Sequence, residues 1–371
     1  MILANAYAPD LRVQREAKTL AAAGWDVTVL AWDRRAEMLR RTYDGQVMIE
    51  RITTPGTFGT FSHGLFRRFF FWQRAASFLV HTKPDVIHAH DVETIPIAIW
   101  ARFLGVPAPV VLDLHETYSV YIESRYGKLI GLIVRLFELV AITWANALIT
   151  VSERQKRWYR RQDVDSIVLP NWPDIGDDPV EPVRAERFGL NPSKPTVAYI
   201  GMIDRDRPLK TLEEIAQSGA AQVLVAGAGP EQEIVEDAAR RIAGYHFVGY
   251  VDPSEVRSVF AACDFVLYGS SDDVNRDFVL NATSNTVPLA LSVGTPVMIV
   301  GVHGDTAIVE NEGAGLVVPN ERADAVGALR GALSSPERMS ELREAAEYAS
   351  KKYRWSKVSH RIIRLYEQLP R

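Results

Sequence analysis

The sequence predicts an α/β protein of two doubly wound parallel sheets, and three observations carry that prediction. Its 371 residues exceed what one hydrophobic core usually supports, which favours two domains over a single large α/β barrel. Short β-branched or apolar runs alternate with helix-period stretches from end to end, the pattern of strands buried on both faces and joined by crossover helices. That alternation stops once, where Pro170, Pro173, Pro179, Pro182, Pro192 and Pro195 interrupt any long ladder and acids Asp174, Asp177, Asp178 and Glu181 lie among them.

In the first half the runs Ile2–Ala6, Asp26–Ala31, Gln46–Arg51, Val86–Ala89, Pro109–Asp113 and Ala147–Val151 read as strands. Helices Gln14–Ala23 and Ile95–Phe103 fall between them, and Gly24 follows the first, where a residue free to adopt positive φ closes a helix. In the second half Thr196–Ile200, Gln222–Ala226, His246–Val248, Phe265–Tyr268, Pro296–Val300 and Gly315–Val318 form a second series. The last segment, Trp355–Leu369, carries Val358, Ile362, Ile363, Leu365 and Tyr366 on a helical stripe. The expected domains are 1–172, a Pro-rich linker over 173–195, a second domain over 196–350, and a helix over 351–371 that crosses back to the first. Two such sheets open crevices at the carboxyl ends of their strands, so the site is expected in a cleft between the domains.

An apolar fraction of 47% and a charged fraction of 24% exclude a disordered, collagen-like or polytopic membrane chain. A net charge of -4 supplies no global drive toward nucleic acid, which is not an expected partner. The single cysteine, Cys263, lies in an apolar run and forms neither an internal disulfide nor a multi-cysteine metal site. Met1 leads into strand-like residues without a basic, then apolar, leader, so a cytoplasmic protein is expected.

Two clusters of titratable residues fall at strand ends: His88, His90 and Asp91, then Asp113, His115 and Glu116. At a crevice rim an imidazole donates to a sugar hydroxyl or phosphate, and a carboxylate accepts from hydroxyls or orients the imidazole; capping of neighbouring helices is the plainer alternative. No His-Glu-X-X-His helix or cysteine pair is present, and no metal or other cofactor is expected. In the second half, Gly227-Ala228-Gly229-Pro230 is a strand-to-helix loop whose glycines let backbone approach a ligand, or simply turn the chain. It lacks the full dinucleotide-binding glycine pattern. Gly201 leads into Asp204-Arg205-Asp206-Arg207 and Lys210, cations able to hold a diphosphate. Asp272 and Asp273 read as a turn. Phe66-Arg74 interleaves aromatic residues with cations and is a candidate for attachment to an anionic membrane surface. Leu129–Val140, with Arg135 and with Lys128 just before it, is a second such candidate, for which a buried helix with a snorkelling arginine is at least as good a reading.

In order, these motifs resemble the family 4 retaining glycosyltransferases of the GT-B fold. Asp10-Leu11-Arg12-Val13-Gln14-Arg15-Glu16-Ala17 is similar to the Asp-X-Arg-Val-X-Arg-Glu-Ala opening of one branch, His88-Ala89-His90-Asp91 to its His-Ala-His-Asp, and Asp113-Leu114-His115-Glu116 to its Asp-X-His-Glu. Val151-Ser152-Glu153, Pro170-Asn171-Trp172-Pro173 and Tyr353-Arg354-Trp355 resemble the end of the first sheet, the hinge and the start of the crossing helix. The resemblance implies two Rossmann-like domains facing across a cleft, a nucleotide-sugar donor on the C-terminal domain, and a glycan or lipid-linked acceptor on the N-terminal one. It also implies metal-independent transfer with retention.

Carried over, His115 and Arg207 are the catalytic candidates. Gly201, Lys210, Gly227, Gly229, Asn281 and Asn285 are the donor-binding candidates. Arg12, Glu16, His88, His90, Asp91 and Glu116 are the acceptor-side candidates. With the Phe66-Arg74 segment at a membrane surface, the expected location is cytoplasmic and peripheral on the inner membrane face. The stretch 281–289 departs from the branch: Thr286 stands where it has Lys, and Leu289 where it has the Glu that accepts from the ribose hydroxyls. Leucine cannot accept a hydrogen bond, and losing a charge-assisted one costs about 1.5–3 kcal/mol, roughly ten- to a hundredfold in affinity. An active sugar transferase is the first reading; a GT-B protein without turnover that partners an active transferase is the alternative, and a sugar-nucleotide epimerase a third.

Overall fold

The computed structural model describes residues 1–8, 10–54, 61–159, 164–172, 180–272, 284–301, 303–321 and 324–370, the side chains at 61–65, 121, 124 and 125 excepted. The chain forms two compact units, Met1–Asn171 with Val358–Arg371, and Trp172–Lys357.

The first unit runs β1 (Ile2–Leu3), α1 (Leu11–Ala22), β2 (Thr28–Asp33), β3 (Arg41–Asp44), β4 (Val47–Thr53), α2 (Phe61–Thr82), β5 (Ile87–His90), α3 (Ile95–Phe103), β6 (Val110–Leu114), α4 (Tyr118–Tyr126), α5 (Lys128–Ile142), β7 (Ala147–Thr150), α6 (Glu153–Trp158) and β8 (Asp165–Val168). Its strands order as β3-β4-β2-β1-β5-β6-β7-β8, all parallel except β3, which pairs antiparallel with β4. The order reverses around β1, so the crevice of this sheet opens where β1 and β5 end. Strands β5, β6 and β7 are buried along their whole length, as a sheet covered on both faces requires. In the core Trp32 stacks on Phe71 with ring centroids 4.9 Å apart. Asp10 accepts from the Val13 N–H at 3.2 Å and starts α1, and Gly24 at φ +95° follows its end, as the pattern predicts.

The second unit contains β9 (Thr196–Ile200), α7 (Leu209–Gln217), β10 (Gln222–Ala226), α8 (Gln232–Arg241), β11 (Tyr245–Phe247), α9 (Val256–Ala261), β12 (Phe265–Gly269), β13 (Val297–Val300) and β14 (Gly315–Val318). Its strands are all parallel in the order β11-β10-β9-β12-β13-β14, which reverses around β9.

Several expectations shift. Strands β3 and β8 are absent from the sequence reading because both are short edges, β3 (RTYD) mostly polar and β8 with only Ile167 and Val168 apolar. The segment expected to be a linker is, where described, part of the second unit: Leu190 packs in its core beside Trp172, and the Gln222 side chain accepts from the Asn191 N–H and donates to the carbonyls of Asn191 and Lys194. The terminal helix is two pieces, Trp355–Val358 and His360–Glu367, and only residues from Val358 onward join the first unit.

The Phe66-Arg74 segment lies on α2. Phe66, Phe69 and Phe70 are exposed, but Phe71 is buried in the core. Its cations are engaged within the chain: Arg67 donates to the Thr54 carbonyl, Arg74 to the Thr53 carbonyl, and Arg68 pairs with Glu93 at 2.9 Å. Helix α5, which the sequence allows to be buried, is instead exposed along most of its length.

Candidate active site

The first-unit crevice is organised by one carboxylate. Asp113, fully buried at the end of β6, accepts two parallel hydrogen bonds from Arg12, at 2.8 Å from Nε and 2.7 Å from Nη2. The same carboxylate faces His115 Nε2 at 3.0 Å and His90 Nδ1 at 3.2 Å. Arg12 spends its remaining Nη1 on the Leu169 carbonyl at 2.9 Å, which ties the turn after β8 to the start of α1. Burial by itself would raise the Asp113 carboxyl, but Arg12 and His115 outweigh it and hold it well below the carboxylate range.

His115 lies between two carboxylates. Its Nδ1 faces Asp91 at 3.4 Å while Nε2 faces Asp113, and the Asp91 side chain also accepts from the His115 N–H at 2.9 Å. Burial would lower its pKa; Asp91 and Asp113 together push it up to about 9. The group is therefore an imidazolium at neutral pH, with an 18% exposed side chain. The sequence reading has this imidazole donating to substrate; in the structure both ring nitrogens are already directed at carboxylates. What it offers is a fixed positive charge. Asp91, one residue beyond β5, sits at φ +62°, ψ 158°, a backbone conformation that costs a non-glycine residue of order 1–3 kcal/mol. That strain is the cost of turning its carboxylate back onto His115.

Behind this pair lies a buried layer. His88 and His90 alternate along β5 with rings stacked 4.3 Å apart, and the Tyr366 hydroxyl hydrogen-bonds His88 Nδ1 at 2.7 Å from the terminal helix. Burial lowers both histidines, His90 to about 4, so both are neutral. Glu16, one turn after Arg12 on α1, is pushed up to about 8 by burial and by Asp113. Glu16, His88, His90 and Asp113 bring ligand-type atoms within 4.8 Å of one another. Arg12 Nε lies 3.3 Å from Glu16 and forks onto Asp113, so the positive charge at this cluster is already supplied by a guanidinium.

The raised pKa values of Glu16 and His115 share one sign. Each group binds a proton more tightly in the native than in the unfolded chain, so its contribution is present below the unfolded value and lost as pH rises through the folded one. For Glu16 the window runs from 4.5 to about 8, and for His115 from 6.5 to about 9. His88 and His90, held neutral, carry the opposite sign below about 6.5, so denaturant melts are expected to show falling first-unit stability between pH of about 7 and about 9.5. Glu16→Gln should flatten the lower part of that slope and His115→Gln the upper; a rising slope contradicts the assignment.

The remaining acceptor-side candidate, Glu116, is exposed beside this cluster. Sequence reasoning named Asp113 within its motif but not as the hub, and missed Tyr366, whose place in an apolar stripe carries no mark of its hydroxyl's partner.

In the second unit Gly201, Gly227 and Gly229 come together at the ends of β9 and β10. A Cβ on Gly227, which sits at φ +137°, would lie 1.8 Å from the Gly201 carbonyl oxygen, and one on Gly229 would lie 2.0 Å from that of Ile203. The Ile203 N–H donates to the Ala228 carbonyl at 3.0 Å. These glycines let two strand-end loops touch. Arg207 lies 3.4 Å from Asp204 with a third of its side chain exposed, and Lys210 is exposed on α7. Asn285, exposed, precedes the helix Thr286–Leu291, and Asn281 lies outside the described residues. Leu289 packs partly buried against the apolar core. Asp305 is buried, accepts from the Ser284 N–H at 2.7 Å, and is pushed up to about 7 by burial. Of the two catalytic candidates, His115 belongs to the first unit and Arg207 to the second.

Residues 9–172 match the family described as glycosyl transferase 4-like domain, and residues 194–334 the family described as glycosyl transferases group 1. Among curated relatives, a phosphatidyl-myo-inositol mannosyltransferase of Mycobacterium leprae (strain TN) is 24% identical over 310 residues, 79% of this chain and 76% of that protein. The sulfoquinovosyl transferase SQD2 of Arabidopsis thaliana is 24% identical over 314 residues, 78% of this chain and 58% of that protein. Among solved structures, sucrose-phosphate synthase from Thermosynechococcus elongatus superposes with a TM-score of 0.79 at 18% identity, covering 99% of this chain and 98% of that one. Anabaena Alr3699/HepE in complex with UDP-glucose gives 0.72 at 15% identity, covering 99% of each. At such identities the structural likeness speaks for the fold.

Proposed function

This chain is a glycosyltransferase of the GT-B fold, 4-like in its first half and group 1 in its second, and from that premise we propose that it transfers a sugar from a nucleoside-diphosphate donor to a lipid-linked or glycan acceptor, metal-independently and with retention. One observation carries the reading: motif residues scattered over the first half converge on Asp113 at the carboxyl end of its sheet. The donor belongs to the second unit, where Gly201, Arg207, Lys210, Gly227, Gly229, Asn281 and Asn285 bind it, and the acceptor to the first. Support for the donor class comes from the UDP-glucose in Anabaena Alr3699/HepE, and for the acceptor class from the relatives named for phosphatidyl-myo-inositol. The enzyme works as a peripheral protein on the inner membrane face; among the described residues no helix is long and apolar enough to cross a membrane.

In this mechanism the leaving diphosphate is stabilised by cations and backbone N–H groups while the acceptor attacks from the same face. His115, held as a cation by Asp91 and Asp113, favours the negative charge that develops on the departing group, so its carboxylate partners matter as much as its ring. Purified protein incubated with UDP-, GDP-, ADP- and dTDP-sugars should show a thermal shift with one nucleotide and slow hydrolysis of its sugar. No shift with any of them removes the proposal. Leu289→Glu should raise nucleotide affinity about tenfold or more by restoring a ribose acceptor. Leu289→Gln, which adds an acceptor without a charge, should give a smaller gain, and no gain from either shows that this position does not meet ribose.

A further inference from the structure

Helix α5 is built inside out. Its buried positions are Gly131, Glu138, Ala141 and Ile142, whereas Leu129, Leu132, Ile133, Leu136, Phe137 and Val140 are exposed, Leu129 to 73%. The inner face is fully committed. A Cβ on Gly131 would lie 2.5 Å from that of Glu123, so α4 and α5 approach closely there, and the Glu138 carboxylate accepts from the Ser119 N–H at 2.8 Å. The apolar surface continues beyond the helix: Phe103 on α3, 75% exposed, meets Trp144 with ring centroids 5.6 Å apart. Monomeric soluble proteins rarely leave so continuous an apolar surface uncovered.

The charges say what covers it. Every charged residue exposed on α5 and at the end of α3 is a cation, Lys128 and Arg102, and the single acid of α5 is the buried Glu138. Arg135 lays its guanidinium over Trp158 at 4.2 Å. A second copy of the same surface would set like charges against each other with no exposed acid of the helix to pair them. Anionic headgroups answer those cations, and acyl chains the leucines. At 15 residues the helix is about 22 Å long, short of a hydrocarbon core of about 30 Å, so it lies along a bilayer rather than through it.

We propose that α5, with the adjoining end of α3, is the surface by which this protein docks on an anionic bilayer, its apolar side chains seated at the acyl boundary and Lys128 and Arg102 on the headgroups. The proposal rests on the membrane-acceptor reading above and moves the contact from Phe66-Arg74 to α5.

The full chain is sedimented with phosphatidylcholine vesicles and with vesicles in which about a third of the lipid is phosphatidylglycerol. Stronger binding to the anionic vesicles, weakened by salt, is expected. Replacing the exposed positions together, as Leu129→Ser, Ile133→Ser, Leu136→Ser and Val140→Ser, should lower partitioning about a hundredfold or more. Lys128→Gln alone should lower it about fivefold on anionic vesicles only. Thermal melts check that each variant folds, and the smaller change Leu132→Ser with Leu136→Ser, about tenfold, serves if the quadruple variant does not. Binding unchanged by these replacements overturns the proposal. So does a parent that ignores both vesicles and runs as a dimer that the quadruple variant breaks. Nucleotide-sugar hydrolysis measured alongside separates the two readings: hydrolysis without vesicle binding sinks the docking surface alone, and vesicle binding without any nucleotide response sinks the transferase alone.

Discussion

Arg12→Leu is expected to destabilise the first unit by about 3–5 kcal/mol, because it strips a buried carboxylate of its fork and leaves its charge only partly balanced. The arginine forms two bonds to Asp113 and one to the Leu169 carbonyl, and each of these groups is out of contact with water. Only the His115 imidazolium remains to balance Asp113, and it is shared with Asp91. The double variant Arg12→Leu with Asp113→Asn should recover part of the loss, since no full charge is then stranded, and the difference between single and double variants measures the coupling. Guanidinium melts read both. A cost below about 1 kcal/mol for Arg12→Leu shows that this pair does not hold the crevice together.

The second expectation concerns rate. His115→Ala should lower nucleotide-sugar turnover by about a hundredfold or more while leaving nucleotide affinity within about threefold, because the donor's nucleotide is assigned to the other unit. His115→Gln keeps a hydrogen-bonding side chain without the charge, and a loss close to that of alanine would assign the effect to the cation itself. Asp91→Asn should cut turnover less and shift the alkaline limb of the pH profile downward, since it removes one of the two carboxylates that hold the imidazolium pKa at about 9. Turnover equal to the parent in His115→Ala would take the histidine out of the reaction.

How far the site was legible depends on what each residue's role rests on. Arg12 and Glu16 stand one turn apart at a helix start, so their shared inward face follows from helical spacing, and Asp10 before them is the cap. His88 and His90 alternate on one strand face for the same reason. The bond from Arg12 to Asp113 spans 101 residues and that from His88 to Tyr366 spans 278, and no local pattern encodes either. Nor does hydropathy decide what an apolar helix faces. Leu129–Val140 reads equally well as core or surface, and only the close α4 contact at Gly131 shows which side turns inward.

By itself the sequence determined the α/β class, the parallel strands and most of their bounds, because buried strands and crossover helices leave periodic apolar signals that are local in the chain. Tertiary structure decided the short edge strands, the charge state of His115 and Glu16, the contact that requires Gly227 and Gly229, and the outward face of α5. Those properties depend on which groups meet and which are taken out of water, and both are set by how the strands are ordered in the sheet rather than by neighbours along the chain.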